Sequence, residues 1–330
     1  MKQLFQRHSK INNTMGLKRY INNLFRHDRN TRQLLHEVNA NVLQTVGSVK
    51  QIHESNRIQY LQDKMLNSKE LGITNNTLCE HEVVVSLTTY GIRIHDVYLA
   101  IESIMQGSVK PNRIVLWLSE EEFKDKTLPI SLQKQVERGL QIEYCSDVRS
   151  FTKLVPSLIK FPDACIVTID DDIMYDFDLL ERLINTYKSN PNCVCANRIH
   201  RMKLNENNMP ISYMDWDWCV NKYERNKLNF LTGVGGVLYP PQVFQYEVFN
   251  EQVFMDICKY ADDVWFNAML LLNNVPIVKS YTRSHLGQDY VDISEVQYVG
   301  LCHANTNAAD CRNDVQIKAV WEKYRIYELF

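Results

Sequence analysis

A long stretch of helical periodicity lies in the first quarter of the sequence. Between residue 34 and about residue 67 there is no proline, and apolar residues recur at spacings of three, four and seven, with Thr45 at one position of the pattern and a skip near Asn56. This pattern predicts one long helix. Its apolar stripe either packs on its own domain or forms a short coiled coil with another chain, and the sequence leaves both interpretations open. The apolar positions are Leu35, Val38, Val42, Val49, Ile52, Ile58, Leu61 and Met65.

Beyond a break at residues 71–79, short apolar runs alternate with helical stretches. Strands are expected at 82–89, 113–118, 141–145, 164–169 and 193–196, and helices at 97–105, 131–139, 152–159, 179–187 and 262–272. Strands separated by helices predict an α/β fold with a mostly parallel central sheet and right-handed crossovers. We therefore expect a helical extension over residues 1–78 and one α/β domain over residues 79–330.

Composition changes this picture mainly at the N-terminus. The net charge of −2 gives no bias toward nucleic acid, yet residues 1–32 carry eight Lys and Arg against Asp28 alone. This basic arm also contains Leu4, Phe5, Ile21, Leu24 and Phe25, so we expect it to touch an anionic membrane surface peripherally. There is no signal-peptide core and no long apolar run, and the nine cysteines are scattered, which together predict a cytoplasmic protein with reduced thiols.

Three consecutive aspartates interrupt the stretch IVTIDDDIMY, residues 166–175. Asp170, Asp171 and Asp172 directly follow a predicted buried strand, where like charges resist desolvation and need compensation. Ligands of parallel sheets bind at the carboxyl ends of the strands. In an extended segment Asp170 and Asp172 would point to one side and Asp171 to the other. Two carboxylates on one side suit Mn²⁺ or Mg²⁺, which prefer oxygen ligands.

Two further motifs follow the aspartates in order. Gly233, Gly235 and Gly236 lie in the turn GVGGVLYPP, and ADDVWF at 261–266 opens a predicted helix. A strand running into Asp-x-Asp, a Gly-rich turn and then an acidic pair at a helix start resembles the GT-A glycosyltransferases. The resemblance covers about residues 82–285 and implies a GT-A fold.

The resemblance implies a metal-dependent transfer of a sugar from a nucleotide sugar, expected to be a UDP-sugar, to a glycan or lipid-linked acceptor. It implies inversion at the sugar and a place in bacterial surface-polysaccharide synthesis, such as capsule. Asp263 is the implied general base, and Asp262 either holds it or binds the acceptor, although an acidic pair also caps a helix without any chemistry. Implied metal ligands are Asp172, Asp170 and a C-terminal histidine, His303 or else His285.

The resemblance also implies donor contacts at the end of the first strand, in SLTTYGIR at 86–93, where Arg93 would pair with the diphosphate. Lys153 resembles a donor-contacting lysine, although a surface lysine is the alternative for it. The complete set of expected donor contacts is Thr88, Thr89, Tyr90, Arg93, Asp147, Lys153, Asp170, Asp171, Gly235 and Gly236.

Two other classes of function compete with this interpretation. Nucleotidyl transfer shares the sheet and the metal, but it needs a Gly-rich loop after the first strand, where only Gly91 stands. A coiled-coil scaffold with a degenerate sugar-binding domain is the non-catalytic alternative, and the intact Asp170, Asp172 and Asp263 argue against it. Self-association through the N-terminal helix is compatible with each class.

Overall fold

The computed structural model describes the backbone of residues 2–284, 289–293 and 311–330, and the side chains of these residues from Thr31 onward. The chain forms two compact units, Met1–Asn56 and Arg57–Phe330. The predicted long helix is confirmed as α1 (Lys2–Asn67), most of which makes up the first unit. Within the described part of the chain, no helix has both the length and the apolar character of a membrane span.

The second unit contains the end of α1 and alternating strands and helices. Its helices are α2 (Val97–Met105), α3 (Glu120–Phe123), α4 (Ile130–Val136), α5 (Val155–Lys160), α6 (Leu179–Ser189), α7 (Glu251–Ile257), α8 (Asp262–Leu272) and α9 (Arg312–Lys323). Its strands are β1 (Val83–Thr88), β2 (Arg113–Ser119), β3 (Leu140–Cys145), β4 (Cys165–Thr168), β5 (Ile173–Tyr175), β6 (Val194–Ala196), β7 (Ile199–Arg201), β8 (Asn229–Leu231), β9 (Val237–Tyr239), β10 (Ile277–Lys279) and β11 (Tyr290–Asp292).

The central sheet has seven strands in the order β10-β6-β9-β4-β1-β2-β3. Every neighbouring pair is parallel except the two pairs that include β9. Two small antiparallel pairs, β5 with β11 and β7 with β8, lie outside this sheet. The predicted fold class, a mostly parallel sheet flanked by helices and preceded by a helical extension, is confirmed.

Alternating residues of the strands face two separate hydrophobic cores, as the period of a strand requires. Val83 and Val85 of β1 belong to one core together with α2, α4, α6 and Leu61 near the end of α1. Val84 belongs to the other core, which also contains residues of α5, α7, α8 and α9. Burial on both faces explains why the strands read as continuous apolar runs in the sequence.

The carboxyl ends of β1, β4 and β6 lie along one edge of the sheet, because these strands run in the same direction. The antiparallel strand β9 begins at that edge, directly after the Gly-rich turn. Residues that follow β1, β4 and β6 therefore meet residues that precede β9.

The helix expected at 152–159 is divided in the structure. A 3₁₀ turn, Arg149–Lys153, ends before α5 begins at Val155. Pro156 lies in the first turn of α5, where its missing N–H costs no hydrogen bond, so the helix starts next to it. This division leaves Lys153 at the end of the 3₁₀ turn and beside the carboxyl edge of the sheet.

Candidate active site

Lys153 connects two acidic segments that are far apart in the sequence. Its ammonium donates to Asp170 Oδ1 at 2.9 Å and lies 3.3 Å from Asp262 Oδ2. Asp170 follows β4, and Asp262 is the first residue of α8. Lys153 is only 8% exposed, so these contacts are made in an environment that excludes most water. The structure thus brings together the triple aspartate and the acidic pair.

The other two aspartates of the triple share a second basic side chain. Arg93 Nη1 lies 2.8 Å from Asp171 Oδ1 and 3.3 Å from Asp172 Oδ2. Thr89 Oγ1 donates to Asp171 Oδ2 at 2.7 Å, so Asp171 is held on both oxygens. A 3₁₀ turn after β1, Gly91–His95, carries Arg93 to this position.

The expected alternation of the three aspartates is wrong. Asp171 and Asp172 contact the same nitrogen of Arg93, whereas Asp170 pairs with Lys153. The reason is that β4 ends at Thr168 and the backbone turns at residues 171–172, so the alternation of an extended strand does not apply. The Asp170 N–H reinforces this turn by donating to the Tyr175 hydroxyl at 2.8 Å.

Carboxylates outnumber basic groups in the site, and the excess changes their protonation. Burial, with the charges of Asp170 and Asp171, raises the pKa of Asp172 to about 7. Burial, with the charge of Asp262, raises the pKa of Asp263 to about 7. Both carboxyl groups therefore titrate near neutral pH, where a carboxylate can act as a general base.

The two basic groups stay charged despite their burial. Burial alone would lower the pKa of Lys153, but Asp170 and Asp262 outweigh it and hold that pKa well above its ordinary value. Burial likewise opposes the charge of Arg93, and Asp171 and Asp172 raise its pKa overall. The site is therefore a network of five carboxylates around two fixed cations.

The Gly-rich turn borders this network. Gly235 and Gly236 have φ angles of 96° and 92°, which side-chain-bearing residues rarely adopt. Asn197, which follows β6, holds the turn by donating from its side chain to Gly235 O at 2.8 Å and from its backbone to Gly236 O at 3.2 Å. A Cβ atom on Gly233 would lie 2.8 Å from Lys153 Nζ, so the absence of a side chain there makes room for the ammonium.

The remaining predicted donor contacts are less closely connected to the aspartates. Thr88 Oγ1 donates to Trp117 O on the neighbouring strand at 3.0 Å. Tyr90 is half exposed, with the Arg93 guanidinium 5.0 Å from its ring. Asp147 is exposed and accepts from the Arg149 N–H at 2.7 Å in a turn after the edge strand β3. His303 and the alternative His285 lie outside the described residues.

Sequence reasoning missed two residues that hold the site together. Tyr175 is fully buried and supports Asp170, although it stands within the stretch that drew attention to the aspartates. Asn197 is 2% exposed and orders the Gly-rich turn. For Asn197 the sequence did carry a signal, a polar residue directly after an apolar strand, which is the signal that identified Asp170.

In the described part of the chain, no group of three or more His, Cys, Asp and Glu side chains is arranged to hold a metal ion. Asp170 and Asp172 nevertheless offer the oxygen donors that Mn²⁺ and Mg²⁺ prefer, and their side chains keep 22% and 18% of their surface exposed. The excess of carboxylates also favours an added cation. The residues present therefore fit a divalent cation that completes its shell with oxygens of a ligand.

Comparison with known proteins gives matches at the level of structure only. No protein-family model and no curated protein sequence matches the chain. One similar structure is glucosyl-3-phosphoglycerate synthase from Mycobacterium tuberculosis in complex with Mn²⁺, UDP and phosphoglyceric acid. It has 12% identity and a TM-score of 0.28, over 36% of this chain and 43% of that one.

Two other solved structures are similar over part of the chain. A mannosyltransferase from Pyrobaculum calidifontis, in complex with GDP-Man and Mn²⁺, has 14% identity and a TM-score of 0.29, over 45% of each chain. The CMP-2-keto-3-deoxy-manno-octonic acid synthetase complexed with CTP has 14% identity and a TM-score of 0.36, over 60% of this chain and 88% of that one. This chain matches less than half the length of the glucosyl-3-phosphoglycerate synthase and of the mannosyltransferase. Similarities this distant assign no activity.

Proposed function

We propose that this protein is a metal-dependent glycosyltransferase that moves a sugar from a nucleotide sugar to a glycan or lipid-linked acceptor. The observation that carries the proposal is the position of Lys153 between Asp170 and Asp262, at 2.9 and 3.3 Å. A transferase needs one set of groups for the donor diphosphate and another for the acceptor hydroxyl, close together. The triple aspartate and the acidic pair of α8 meet that need, in the motif order of the GT-A glycosyltransferases.

Asp172 and Asp170 are the proposed ligands of Mn²⁺ or Mg²⁺, and His303 is proposed as a further ligand. When bound, the cation supplies electrostatic stabilisation of the negative charge on the departing diphosphate. Arg93 and Lys153 add fixed positive charge beside the same carboxylates. This arrangement fits a nucleoside diphosphate leaving group, for which we propose UDP.

Asp263 is the proposed general base. Its pKa, raised to about 7, lets the carboxylate accept a proton near neutral pH. The acceptor hydroxyl gives its proton to Asp263 while its oxygen forms a bond to the anomeric carbon. The bond from that carbon to the diphosphate oxygen breaks, and the nucleoside diphosphate leaves with the electron pair. A single displacement of this kind inverts the anomeric centre.

The test is release of nucleoside diphosphate from a panel of nucleotide sugars by the purified chain with Mn²⁺. We expect turnover that chelation abolishes and that Asp172→Ala and Asp263→Asn each lower by about 100-fold or more. Asp163→Asn is the matched control, because Asp163 is an exposed carboxylate that precedes β4 at the opposite edge of the sheet. Full activity of Asp263→Asn would overturn the base assignment. Release of pyrophosphate from a nucleoside triphosphate and a sugar would identify a nucleotidyltransferase instead.

For the acceptor we propose a lipid-linked or membrane-proximal glycan in surface-polysaccharide synthesis, reached through the basic arm, residues 1–32. Eight Lys and Arg against one Asp favour an anionic lipid surface. We expect a peptide of residues 1–32 to bind vesicles containing anionic lipid at low salt and to leave neutral vesicles unbound. Absence of binding to the anionic vesicles would remove this part of the proposal.

A further inference from the structure

The first compact unit exposes an unusual number of large apolar side chains. Its described side chains begin at Thr31, and residues 31–53 are all exposed. A helix gains most of its stability from packing an amphipathic face, so an apolar surface of this kind calls for a partner. Eight large apolar residues are between 50% and 72% exposed: Leu34, Leu35, Val38, Val42, Leu43, Val46, Val49 and Ile52.

Seven of these eight residues lie on one face of α1. If Leu35 is assigned to heptad position a, the a positions are Leu35, Val42 and Val49, and the d positions are Val38, Thr45 and Ile52. Leu34 and Val46 fall at the flanking g and e positions. Leu43, at position b, is the exception on the far side. Residues 34–52 supply three a and three d positions, just under three full heptads, which is close to the lower limit at which heptad spacing indicates a coiled coil.

Formal charges avoid this face. Between residues 33 and 56 the charged residues are Glu37, Lys50 and Glu54, at positions c, b and f. None lies at a, d, e or g, so two copies of the stripe would meet without like charges facing each other. A lipid surface is a poorer partner for this segment, because a membrane-binding helix carries a Lys- and Arg-rich polar face and this one carries Lys50 alone.

Thr45 is the polar residue among the a and d positions of residues 35–52, and a hydrogen bond within α1 offsets the cost of burying its hydroxyl. Its hydroxyl donates to the Asn41 carbonyl of the same helix at 2.8 Å. The hydroxyl therefore needs no partner from outside, and burial of Thr45 in a helix interface would leave no unsatisfied donor.

The same face of α1 carries a shallow apolar depression. It is lined by Val38, Asn41, Val42, Thr45 and Val46. Val38 and the residues three, four and seven positions after it, Asn41, Val42 and Thr45, occupy the four positions that in a coiled coil surround one side chain of the facing helix. Heptad spacing, the absence of charge from the a, d, e and g positions, the internal hydrogen bond of Thr45 and this depression all fit a helix of the same sequence.

We propose that residues 34–52 of α1 are a self-association surface, and that its occupant is the same segment of a second copy of this chain, packed as a coiled coil. This inference is independent of the proposed chemistry, since it rests on residues of the first unit alone.

The test measures the mass of the full-length chain in solution by light scattering coupled to size exclusion, across a range of protein concentrations. We expect the wild type to have at least twice the mass of the 38.7 kDa chain. The variant Val42→Glu/Val49→Glu places charges at two successive a positions and should be monomeric. Circular dichroism and the thermal midpoint of each variant report whether the second unit remains folded.

Leu43→Glu is the matched control. It introduces the same charge on the same helix at the most exposed of the eight apolar residues, 72%, but at position b. The control should keep the wild-type mass. Three results would each overturn the proposal: a monomeric wild type at tens of micromolar, an unchanged mass for the double variant, or equal dissociation by Leu43→Glu. The proposal would also fail if the wild type bound vesicles and the double variant, but not Leu43→Glu, lost that binding.

Discussion

At the scale of single residues, Lys153 determines how the site is assembled. It is a buried cation that contacts one carboxylate from each acidic motif, and Gly233 leaves the space that its ammonium occupies. The ammonium of a lysine is carried on a flexible stem, so a side chain added at position 233 would move the ammonium rather than distort the backbone.

We therefore expect Gly233→Ala to impair activity far more than stability. The new Cβ would lie 2.8 Å from Lys153 Nζ and would displace the ammonium from Asp170 and Asp262. Release of nucleoside diphosphate should fall by about 10-fold or more, with a thermal midpoint close to wild type. Gly47→Ala should retain activity, because the added Cβ would have nothing within 4 Å beyond the adjoining backbone of its own helix. Equal activities of the two variants would contradict this role of Lys153.

The two raised carboxyl pKa values predict how stability depends on pH. Asp172 and Asp263 each have a folded-state pKa of about 7, above the ordinary 3.8. Between these values the folded state binds more protons than the unfolded state, so the free energy of unfolding should fall as pH rises from about 4 to about 7. With the cation removed, we expect a loss of several kcal/mol, because a difference of one in pKa corresponds to about 1.4 kcal/mol and both pKa values are raised from 3.8 to about 7.

Denaturant titrations with chelator at pH 5 and pH 8 measure this dependence. Asp263→Asn cannot ionise, so it should lose less stability than wild type between the two pH values and should be the more stable protein at pH 8. Added Mn²⁺ should return part of the lost stability to wild type at pH 8. A wild-type protein that gains stability from pH 5 to pH 8 under chelation would show that these carboxyl groups titrate normally.

At the scale of elements, apolar periodicity predicted most of what surrounds the site. Local patterns predicted both the end of β4 before Asp170 and the start of α8 at Asp262. A strand buried on both faces is a continuous apolar run, and acidic residues are typical of a helix start. The contacts of Lys153 with Asp170 and Asp262 could not be predicted in the same way. They depend on which side chains meet across separate strands, and on the 3₁₀ turn, Arg149–Lys153, that replaces the expected helix.

The 3₁₀ turn Gly91–His95 gives the prediction that belongs to this scale. Its Arg93 pairs with Asp171, and both side chains are about 10% exposed. Arg93→Met would leave Asp171 buried without its cation, which we expect to cost about 3–5 kcal/mol in the free energy of unfolding. The double variant Arg93→Met/Asp171→Asn should recover a large part of that loss, measured by urea unfolding at pH 7. Additive effects of the two substitutions would mean that the pair contributes no coupling.

At the scale of the whole molecule, α1 belongs to two compact units. The break in composition at residues 71–79 predicted a domain boundary between residues 78 and 79. Leu61 and Met65, which precede that break, are 0% and 7% exposed and belong to the core around β1. Arg57 donates to Tyr175 O at 2.8 Å, next to the site. The apolar spacing of α1 is interrupted between Ile52 and Ile58, where the two units divide, but periodicity alone could not reveal that only the part after this interruption packs on the core around β1.

Two truncations test which part of α1 the second unit needs. A chain of residues 57–330 keeps Leu61 and Met65, so we expect it to retain the thermal midpoint of the second unit and the proposed release of nucleoside diphosphate. A chain of residues 79–330 loses both side chains, and truncating one such buried residue costs about 2–5 kcal/mol. The shorter chain should therefore melt at a clearly lower temperature or fail to fold, and Leu61→Ala in the longer chain should reproduce part of that loss. Equal thermal midpoints for the two truncated chains would instead support a boundary at residues 78 and 79.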